Sequence, residues 1–296
     1  MIKTFPDYSN LDLVHRDIIL KFTSLFEPYS DFNFLSLYAW DINQTTAIST
    51  LNGNLIIVFP YYLTGKPIMS VLGSKNMKDT LTTLLKYSPV LKLVPKVVKD
   101  SLNNSSGLNF LSDVDNFDYL YELKDHAEMS GGKFKGLRKA LHKFEGLYGN
   151  KASVTPLDLG EKEKIDELVD VFNQWSAERG KVENEVENER KAILRVLKSN
   201  SHFNLDCYEI LIDGVVAGFS INEIMPNNYA TCHFQKCLLN YEGIDVFLTN
   251  FVAKELIRKG CAYINWEQDL GIEGLRTLKQ GYRPIKMLEK YTVATG

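Results

Sequence analysis

Four polar side chains near the carboxyl end of the chain have the types and spacing that proton-transfer chemistry requires. Glu267 and Asp269 directly follow a strand-like apolar run, and His233 and Gln235 lie two residues apart on one face of another. Carboxylates and imidazoles act as general acids or bases, and polar N–H groups stabilise a developing oxyanion. We therefore expect Glu267, Asp269 and His233 to be catalytic.

These residues also have structural explanations. Asp269 precedes a helix predicted to begin at Ile272, and an aspartate there could cap the helix at its amino-terminal end. His233 and Gln235 could equally be hydrogen-bonded polar residues inside a core. At the level of the sequence, the catalytic and the structural explanation both stay open.

The composition limits the class of protein. The 296 residues suffice for about two domains. With 45% hydrophobic and 24% charged residues, the chain is not collagen-like, disordered or a multi-span membrane protein. The formal charge of −3 is not that of a general nucleic-acid binder, so an RNA contact would need a local basic patch. The sequence shows no secretory signal and no membrane-spanning run, so we expect a soluble, cytoplasmic protein.

The four cysteines do not predict a metal site or a disulfide framework. None forms a C-x-x-C pair, no histidine pair has the spacing of a structural zinc site, and all four lie in apolar or strand-like runs. We expect reduced, buried thiols and no bound metal. The residues are Cys207, Cys232, Cys237 and Cys261.

A basic segment lies between the two halves of the chain. Residues 133–143 carry five cations and no acid, and their apolar spacing predicts a helix with a broad basic face. That face is either simply solvated or a surface for RNA phosphates. Arg276 and Lys279, three residues apart on a predicted helix, form a smaller cluster. The candidate phosphate-binding residues are Lys133, Lys135, Arg138, Lys139, Arg276 and Lys279.

Helical and strand-like patterns follow a similar order in both halves, which indicates an α+β fold. The pairs Asn52-Gly53 and Asp213-Gly214 are typical of hairpin turns, and residues 285–293 read as one final strand. A Gly-Gly pair at 131–132 marks a break. We predict an amino-terminal domain over 1–130, a basic connecting helix over 131–150 and a carboxyl-terminal domain over 151–296.

The order of elements in the second half resembles the GNAT acyltransferase fold. Residues 265–276, which read NWEQDLGIEGLR, and the segments 32–40, 119–133 and 279–291 resemble an uncharacterised bacterial family related to the C-terminal domain of phosphatidylglycerol lysyltransferase. The resemblance spans nearly the whole chain. It implies two tandem GNAT-like domains, each a mixed, mostly antiparallel central sheet flanked by helices. It also implies aminoacyl transfer, since that relative transfers lysine from aminoacyl-tRNA to a lipid.

Two positions depart from the GNAT enzymes that use CoA. The candidate cofactor-binding loop contains Asn240, Gly243 and Asp245, and the charge of Asp245 would repel a pyrophosphate. Thr277 stands where many acetyltransferases have a tyrosine that protonates the leaving thiolate. Tyr282 could serve instead as a catalytic residue, or it could belong to the core. Both departures argue against CoA and favour aminoacyl-tRNA, whose leaving group is a ribose hydroxyl.

The sequence therefore predicts an acyltransferase of the aminoacyl-transferase type, with its site in the carboxyl-terminal domain. The donor would be aminoacyl-tRNA or another activated acyl group, and the acceptor an amine or hydroxyl of a small molecule, peptide or lipid headgroup. The alternative is a non-catalytic ligand- or RNA-binding protein with a degenerate GNAT cofactor loop. A CoA-dependent N-acetyltransferase is the third hypothesis.

Overall fold

The computed structural model describes residues 1–102, 107–160, 162–181 and 183–296, with the main chain alone at 183–185. These residues divide into two units. The first contains Met1–Tyr119, Glu267–Thr277 and Met287–Gly296, and the second contains Leu120–Trp266 and Leu278–Lys286. Neither unit is a single stretch of sequence. The contiguous division at residues 130 and 150 stays a prediction.

The described residues form ten α-helices and fourteen β-strands. The helices are α1 (Arg16–Thr23), α2 (Phe34–Trp40), α3 (Met77–Leu84), α4 (Lys96–Asp100), α5 (Leu123–Glu128), α6 (Lys135–Tyr148), α7 (Lys162–Glu178), α8 (Glu183–Lys198), α9 (Ile244–Arg258) and α10 (Glu273–Gly281). The strands are β1 (Ser9–Asn10), β2 (Ala47–Leu51), β3 (Asn54–Pro60), β4 (Pro67–Leu72), β5 (Val90–Pro95), β6 (Leu108–Ser112), β7 (Asp118–Glu122), β8 (Ala152–Pro156), β9 (Leu205–Ile212), β10 (Val215–Ile224), β11 (Tyr229–Cys237), β12 (Tyr263–Asn265), β13 (Lys286–Leu288) and β14 (Lys290–Thr295).

The first unit contains two antiparallel sheets. One has the strand order β1-β2-β3-β4, and its β2–β3 hairpin turns at Asn52 and Gly53, which both have the positive φ angles of a type I′ turn. The other has the order β5-β14-β6. Tyr291 and Val293 of β14 pack with Leu81 of α3 in the hydrophobic core of this unit.

The second unit is built around a seven-stranded sheet of order β13-β7-β12-β11-β10-β9-β8. Its β9–β10 hairpin turns at Asp213 and Gly214, as the sequence predicts. Strands β9, β10 and β11 are antiparallel, whereas β11 and β12 are parallel. A β-bulge makes His233 the extra residue opposite Ile221 and Asn222. Helices α7 and α9 pack against β10 and β11.

Each half of the chain contributes a strand to a sheet formed mostly by the other half. β7, from the amino-terminal half, lies between β12 and β13 in the seven-stranded sheet. β14 lies between β5 and β6. The prediction of one strand over residues 285–293 is therefore wrong: Glu289 separates β13 from β14, and the two strands pair in different sheets.

The predicted fold class is confirmed. The fold is α+β, with tandem GNAT-like domains in which mixed, mostly antiparallel sheets are flanked by helices. No helix in the described part of the chain is long and apolar enough to cross a membrane. Over the same residues, no group of three or more His, Cys, Asp or Glu side chains is placed to hold a metal ion. The four cysteines are free thiols.

Candidate active site

Three charged side chains of the first unit are completely buried: Lys290, Asp31 and Asp118 each have 0% relative exposure. We call them the buried charge cluster. The Lys290 ammonium lies 2.7 Å from Asp118 Oδ1 and 3.1 Å from Ser30 Oγ, and it forms an ion pair with Asp31. Asp118 and Ser30 accept hydrogen bonds from two of its three N–H groups, and Asp31 contributes a second opposite charge. With two carboxylates and one ammonium, the cluster has an excess negative charge unless it binds a proton.

Local structure brings these distant residues together. Ser30 and Asp31 lie in a 3-10 turn, Ser30–Phe32, directly before α2, which Asn33 caps with its side chain. Asp118 begins β7 and Lys290 begins β14. The Ser30 N–H donates to Asp118 Oδ2 at 2.8 Å, which ties the turn to β7. The cluster therefore forms where one turn meets the first residues of two strands.

Burial decides which residue of the buried charge cluster exchanges a proton. Burial raises the pKa of Asp31 to about 6; the attraction of Lys290 opposes this rise and the repulsion from Asp118 adds to it. Burial also acts to lower the pKa of Lys290, but its attraction to both carboxylates holds that pKa above the usual value. Lys290 thus stays charged, and Asp31 is the member that can gain or lose a proton near neutral pH.

Tyr62, a half-buried residue in the charge environment of Asp31, packs in an aromatic group with Trp40 and Phe59. Burial, together with the negative charges of Asp31 and Glu267, raises the pKa of Tyr62 well above its ordinary value. Its ring centroid lies 6.2 Å from that of Trp40 and 6.0 Å from that of Phe59. No hydrogen bond of regular geometry from the described residues reaches either Asp31 oxygen. Asp31 therefore depends on the charge of Lys290 for its stabilisation.

Glu267 is half-buried, and its charge acts on Tyr62. It begins a loop, residues 267–271, whose backbone is strained. Ser36 Oγ donates to Glu267 Oε1 at 3.0 Å. Glu267 and Leu270 have φ angles of 56° and 55°, in the left-handed region that favours glycine. Such conformations cost a non-glycine residue about 1–3 kcal/mol and are concentrated at functional sites. The backbone of this loop is thus of the kind found at catalytic centres.

Asp269 fixes the same loop through four hydrogen bonds. Arg276 donates two of them at 2.8 Å, the Tyr119 hydroxyl donates one at 2.5 Å, and the Gly271 N–H donates one at 2.8 Å. Burial acts to raise the pKa of Asp269, but the bonds from Arg276 and Tyr119 outweigh it and lower that pKa. Arg276 also pairs with Asp115 at 2.6 Å. These contacts favour a positioning role for Asp269, and its catalytic role stays a prediction.

His233 and Tyr282 belong to the second unit and pack inside it. His233 Nε2 lies 3.5 Å from Glu223 Oε2, and both side chains are buried. The Tyr282 ring has its centroid 4.7 Å from that of Trp266 and 5.3 Å from that of His126. Burial raises the pKa of Tyr282 well above its usual value. These surroundings fit the structural explanation of both residues, and their catalytic roles stay predictions.

The loop that contains Asn240, Gly243 and Asp245 packs against α6. Gly243 has a φ angle of 87°, and a Cβ atom there would lie 2.5 Å from the Ala140 carbonyl oxygen. Asp245 lies in the first turn of α9, where burial raises its pKa and the hydrogen bond from the Val246 N–H opposes the rise. The backbone at Gly243 is therefore covered by α6, while Asn240 is exposed.

The corresponding loop of the first unit, between β4 and α3, is filled by Asn54. Its Oδ1 accepts from the Lys75 N–H at 3.1 Å, and its Nδ2 donates to the Lys75 carbonyl at 2.7 Å. A Cβ atom on Gly73 would lie 2.1 Å from Asn54 Oδ1. The Lys75 N–H of this loop is thus already bonded inside the protein.

Replacing Gly243 with alanine is expected to lower the free energy of unfolding by about 1–3 kcal/mol. The new Cβ would occupy a left-handed conformation and press on the Ala140 carbonyl. The matched control is Gly136→Ala in α6, where nothing lies within 4 Å of the new Cβ. It is expected to raise stability by up to about 1 kcal/mol. Urea denaturation measures both, and an unchanged midpoint for Gly243→Ala would contradict the close packing of α6 on the loop.

The basic residues of the connecting segment differ in their surroundings. Lys135 and Lys139 are exposed on α6. Lys133 forms an ion pair of 2.8 Å within the second unit. Arg138 donates to two main-chain carbonyls that follow the end of α5. Lys135 and Lys139 are therefore the members of this group best placed to meet a phosphate, and the phosphate-binding role of all four stays a prediction.

Arg276 and Lys279, the smaller basic cluster, have internal partners. Arg276 is bonded to Asp269, as described above. Lys279 is buried, its Nζ donates to the Trp266 carbonyl at 2.6 Å, and the Tyr121 hydroxyl donates to the Lys279 carbonyl at 2.7 Å. These contacts position main chain on either side of Glu267, and the predicted phosphate contacts remain untested.

Sequence patterns do not single out Asp31, Asp118 or Tyr62 as site residues. Lys290 occurs in a segment that carries the family resemblance, but nothing in its pattern predicts burial. The available signal is weak: Asp31, Asp118 and Lys290 each directly precede an aromatic residue of an apolar segment. Only the fold shows that these charges meet.

Known proteins resemble this chain over almost its full length. The profile of the family described as phosphatidylglycerol lysyltransferase, C-terminal, matches residues 24–294. A conserved protein of unknown function from Bacteroides thetaiotaomicron is 24% identical, with a TM-score of 0.85 and 100% of both chains covered. L-PGS from Bacillus licheniformis is 15% identical, with a TM-score of 0.61 and 99% of this chain and 93% of that chain covered. No curated protein sequence matches. As its motifs predict, the chain belongs to the family of phosphatidylglycerol lysyltransferase C-terminal domains.

Proposed function

We propose that the protein is an acyltransferase of the aminoacyl-transferase type, which moves an aminoacyl group from aminoacyl-tRNA to a hydroxyl or amine acceptor. The observation that carries this proposal is Glu267, a half-buried carboxylate on a strained loop, bonded by Ser36. It occurs in a chain whose family is named for lysyl transfer to phosphatidylglycerol. A fixed carboxylate of this kind is suited to remove a proton from an acceptor.

In the proposed reaction Glu267 is the general base. The acceptor oxygen or nitrogen attacks the ester carbonyl carbon while its proton passes to Glu267. The tetrahedral intermediate then collapses, the bond to the ribose oxygen breaks, and that oxygen takes the proton from Glu267, which becomes a carboxylate again. The Ser36 hydroxyl orients the carboxylate, and the bonds of Asp269 hold the loop. A positioned base of this type contributes about 10²–10⁴-fold to the rate.

Packing favours a tRNA ester over CoA as the donor. Gly243 of the second unit is covered by α6, and the Lys75 N–H of the first unit is bonded to Asn54. In CoA-dependent enzymes of this fold, backbone N–H groups of these loops would bind the pyrophosphate. The exposed Lys135 and Lys139 provide cations suited to RNA phosphates.

The test is transfer by the full chain with and without the Glu267 carboxylate. A tRNA pool charged with radiolabelled amino acids serves as donor, and vesicles of phosphatidylglycerol or a short peptide with a free amino terminus serve as acceptor. Glu267→Gln is expected to lower kcat/KM by about 10²–10⁴-fold. Glu273→Gln removes the same charge from an exposed position at the start of α10, and it is expected to leave the rate unchanged.

Each outcome of this assay decides between the hypotheses. Label in the lipid fraction or on the peptide, lost in Glu267→Gln but kept in Glu273→Gln, supports the proposal. Salt-sensitive tRNA binding without transfer to either acceptor would overturn it in favour of a non-catalytic RNA-binding protein. Equal melting temperatures of the two variants show that the loss is not caused by unfolding.

A further inference from the structure

Glu267 has an unfavourable backbone conformation, so the surrounding structure must hold it there. Its φ angle of 56° lies in the left-handed region, which a non-glycine residue occupies only when neighbouring contacts fix it. A general base also works only when its carboxylate lies within hydrogen-bond reach of the proton that it removes. The residues that hold Glu267 therefore matter for the proposed reaction.

Glu267 is held both at its main chain and at its side chain. Its main-chain carbonyl accepts from the Tyr119 N–H at 3.1 Å, and its Oε1 accepts from Ser36 Oγ at 3.0 Å. Tyr119 is the second residue of β7 and directly follows Asp118 of the buried charge cluster. The main-chain contact of Glu267 is thus made by a strand that begins in that cluster.

The next residue, Gln268, is bonded to a serine that contacts the buried charge cluster. Gln268 is buried, and its Oε1 accepts from Ser30 Oγ at 2.7 Å. Ser30 Oγ accepts from Lys290 Nζ at 3.1 Å, and it shares its one hydrogen between Gln268 and Asp118 Oδ1, which lies 2.6 Å away. The Ser30 hydroxyl therefore lies between the buried ions and the Gln268 amide.

Ser30 and Ser36 belong to one short segment of fixed geometry. Ser30 begins the 3-10 turn before α2, and Ser36 lies in the first turn of α2. Asn33 joins the two parts, because its side chain caps α2 by accepting from the Ser36 N–H at 2.9 Å. Both serines are buried. The segment therefore presents two hydroxyls at a fixed spacing to two consecutive residues, Glu267 and Gln268.

We propose that Ser30 and Gln268 are positioning residues that keep the Glu267 carboxylate directed at the acceptor. Lys290 and Asp118 fix the Ser30 hydroxyl, and this hydroxyl fixes the Gln268 side chain. Gln268 in turn holds the strained backbone of the residue before it. This inference rests on the proposed role of Glu267 as the general base. Ser30 and Gln268 touch no reacting atom, and no proton passes along these bonds.

Buried ions are suited to this task. Hydrogen bonds to ionised groups are shorter and about twice as strong as bonds between neutral groups. Fully bonded polar networks of low exposure also make their surroundings rigid. The Ser30 hydroxyl receives one such bond from Lys290 and gives one to Asp118, so it is held more firmly than a hydroxyl with neutral partners. The costly burial of these charges thereby acquires a function beside the candidate base.

Gln268→Met is the main test. Methionine has nearly the same length but lacks the amide, and the Ser30 hydroxyl keeps its bond to Asp118. In the transfer assay, kcat is expected to fall by about 10²-fold, because a small misplacement of a catalytic group has an effect of this size. KM is expected to change little, since the lost interaction acts on the transition state and not on substrate binding.

Ser30→Ala tests the route through Gln268. It is expected to lower kcat in the same way, and also to lower stability, because the buried Lys290 ammonium loses an acceptor. When it is combined with Gln268→Met, kcat is expected to fall no further than in the worse single variant, because both changes break the same hydrogen bond. Ser70→Ala is the matched control: Ser70 is also buried, its hydroxyl donates to the Leu93 carbonyl at 3.2 Å, and the variant is expected to keep kcat.

A measurement without substrate separates this inference from the proposed function. Amide hydrogen exchange, followed by NMR, reports on the Tyr119 N–H, which bonds to Glu267, and on the Gly271 N–H, which bonds to Asp269. Gln268→Met is expected to raise both exchange rates about 2–10-fold, the size expected for the loss of one hydrogen bond. The amides of β3, which pairs with β2 and β4, are expected to exchange as in the wild type.

Four results would overturn the inference. They are a wild-type kcat in Gln268→Met, a loss of kcat that the unfolded fraction of this variant accounts for in full, additive losses in the double variant, and unchanged exchange at Tyr119 and Gly271. The exchange result counts even if the wild type transfers to neither acceptor. Absence of wild-type transfer overturns the proposed function instead.

Discussion

Replacing Lys290 with methionine is expected to lower the free energy of unfolding by about 3–5 kcal/mol. The substitution removes the ammonium but leaves Asp31 and Asp118 completely buried. Uncompensated buried charge costs far more than the net gain from a buried pair. The expected loss is a large share of the 5–15 kcal/mol typical of a folded domain. Urea denaturation at neutral pH measures it, and Lys66→Met, at an exposed lysine before β4, is a control expected to change little.

The loss in Lys290→Met also has a pH dependence of known sign. Lys290 lowers the pKa of Asp31, so its removal raises the folded-state pKa of Asp31 further above the unfolded value. A carboxyl whose pKa is raised by folding supports the folded state most fully below its unfolded pKa, and that support is lost as the pH rises through the folded pKa. The destabilisation relative to the wild type is therefore expected to shrink as the pH falls toward about 4.

A second substitution tests the cause of this loss. At neutral pH, Asp31→Asn in the Lys290→Met background is expected to restore part of the stability, because it removes one of the two uncompensated charges. A destabilisation that is equal at neutral and at acidic pH, and that Asp31→Asn does not relieve, would show that lost packing rather than buried charge is responsible.

Removal of residues 289–296, which contain β14, is expected to abolish the cooperative folding of the first unit. β14 pairs with β5 on one side and β6 on the other, so its loss leaves two exposed strand edges. It also removes Tyr291 and Val293 from the core and Lys290 from the buried charge cluster. Loss of one large buried side chain costs about 2–5 kcal/mol, and several such losses together match the stability of a whole domain.

A peptide supplied in trans tests this prediction. Addition of a synthetic peptide of residues 287–296 to the truncated chain is expected to restore a cooperative urea transition in a saturable manner. The same peptide with Lys290→Met is expected to bind more weakly, and a scrambled peptide not at all. A truncated chain that keeps the wild-type transition without peptide would show that the first unit does not need β14.

Local signals predict much of the fold. The hairpins β2–β3 and β9–β10 occur where Asn52-Gly53 and Asp213-Gly214 indicate them, because few residues other than Gly, Asn and Asp adopt the positive φ angles of these turns. Helix α9 begins after Gly243 and ends before Gly260, and a glycine directly after a helix is a common signal for its end. The family motif over residues 265–276 gives the tandem GNAT-like class.

Sequence patterns miss the elements that form because of their contacts with other strands and helices, and not because their own residues favour a strand or a helix. β5 (Val90–Pro95) is a short apolar run bounded by Pro89 and Pro95, and it lies at the edge of its sheet, where proline is tolerated. α5 (Leu123–Glu128) has only six residues and follows β7 directly. The boundary at Glu289 leaves no signal in the residue pattern of the sequence. β13 and β14 are separate strands because each pairs in a different sheet.

The residues of the candidate site also differ in whether the sequence predicts them. Glu267 can be found from the sequence because it directly follows a strand within a family motif. Asp31, Asp118 and Tyr62 cannot, because their importance comes from mutual contact and burial. Asp269 has the residue type of a catalytic group, yet only its four hydrogen bonds favour a positioning role.

The position of Lys290 in the chain also determines when the buried charge cluster can form during synthesis. Lys290 is 260 residues beyond Ser30, the neighbour of Asp31, and 172 beyond Asp118, so the ribosome makes both acidic residues of the buried charge cluster long before their counter-ion. At about 5–20 residues per second, the interval between Ser30 and Lys290 is roughly 10–50 s. During that time neither carboxylate of the buried charge cluster can be buried beside its counter-ion. The nascent first unit therefore depends on β14, and premature release of the chain would yield a product whose buried carboxylates have no ammonium beside them.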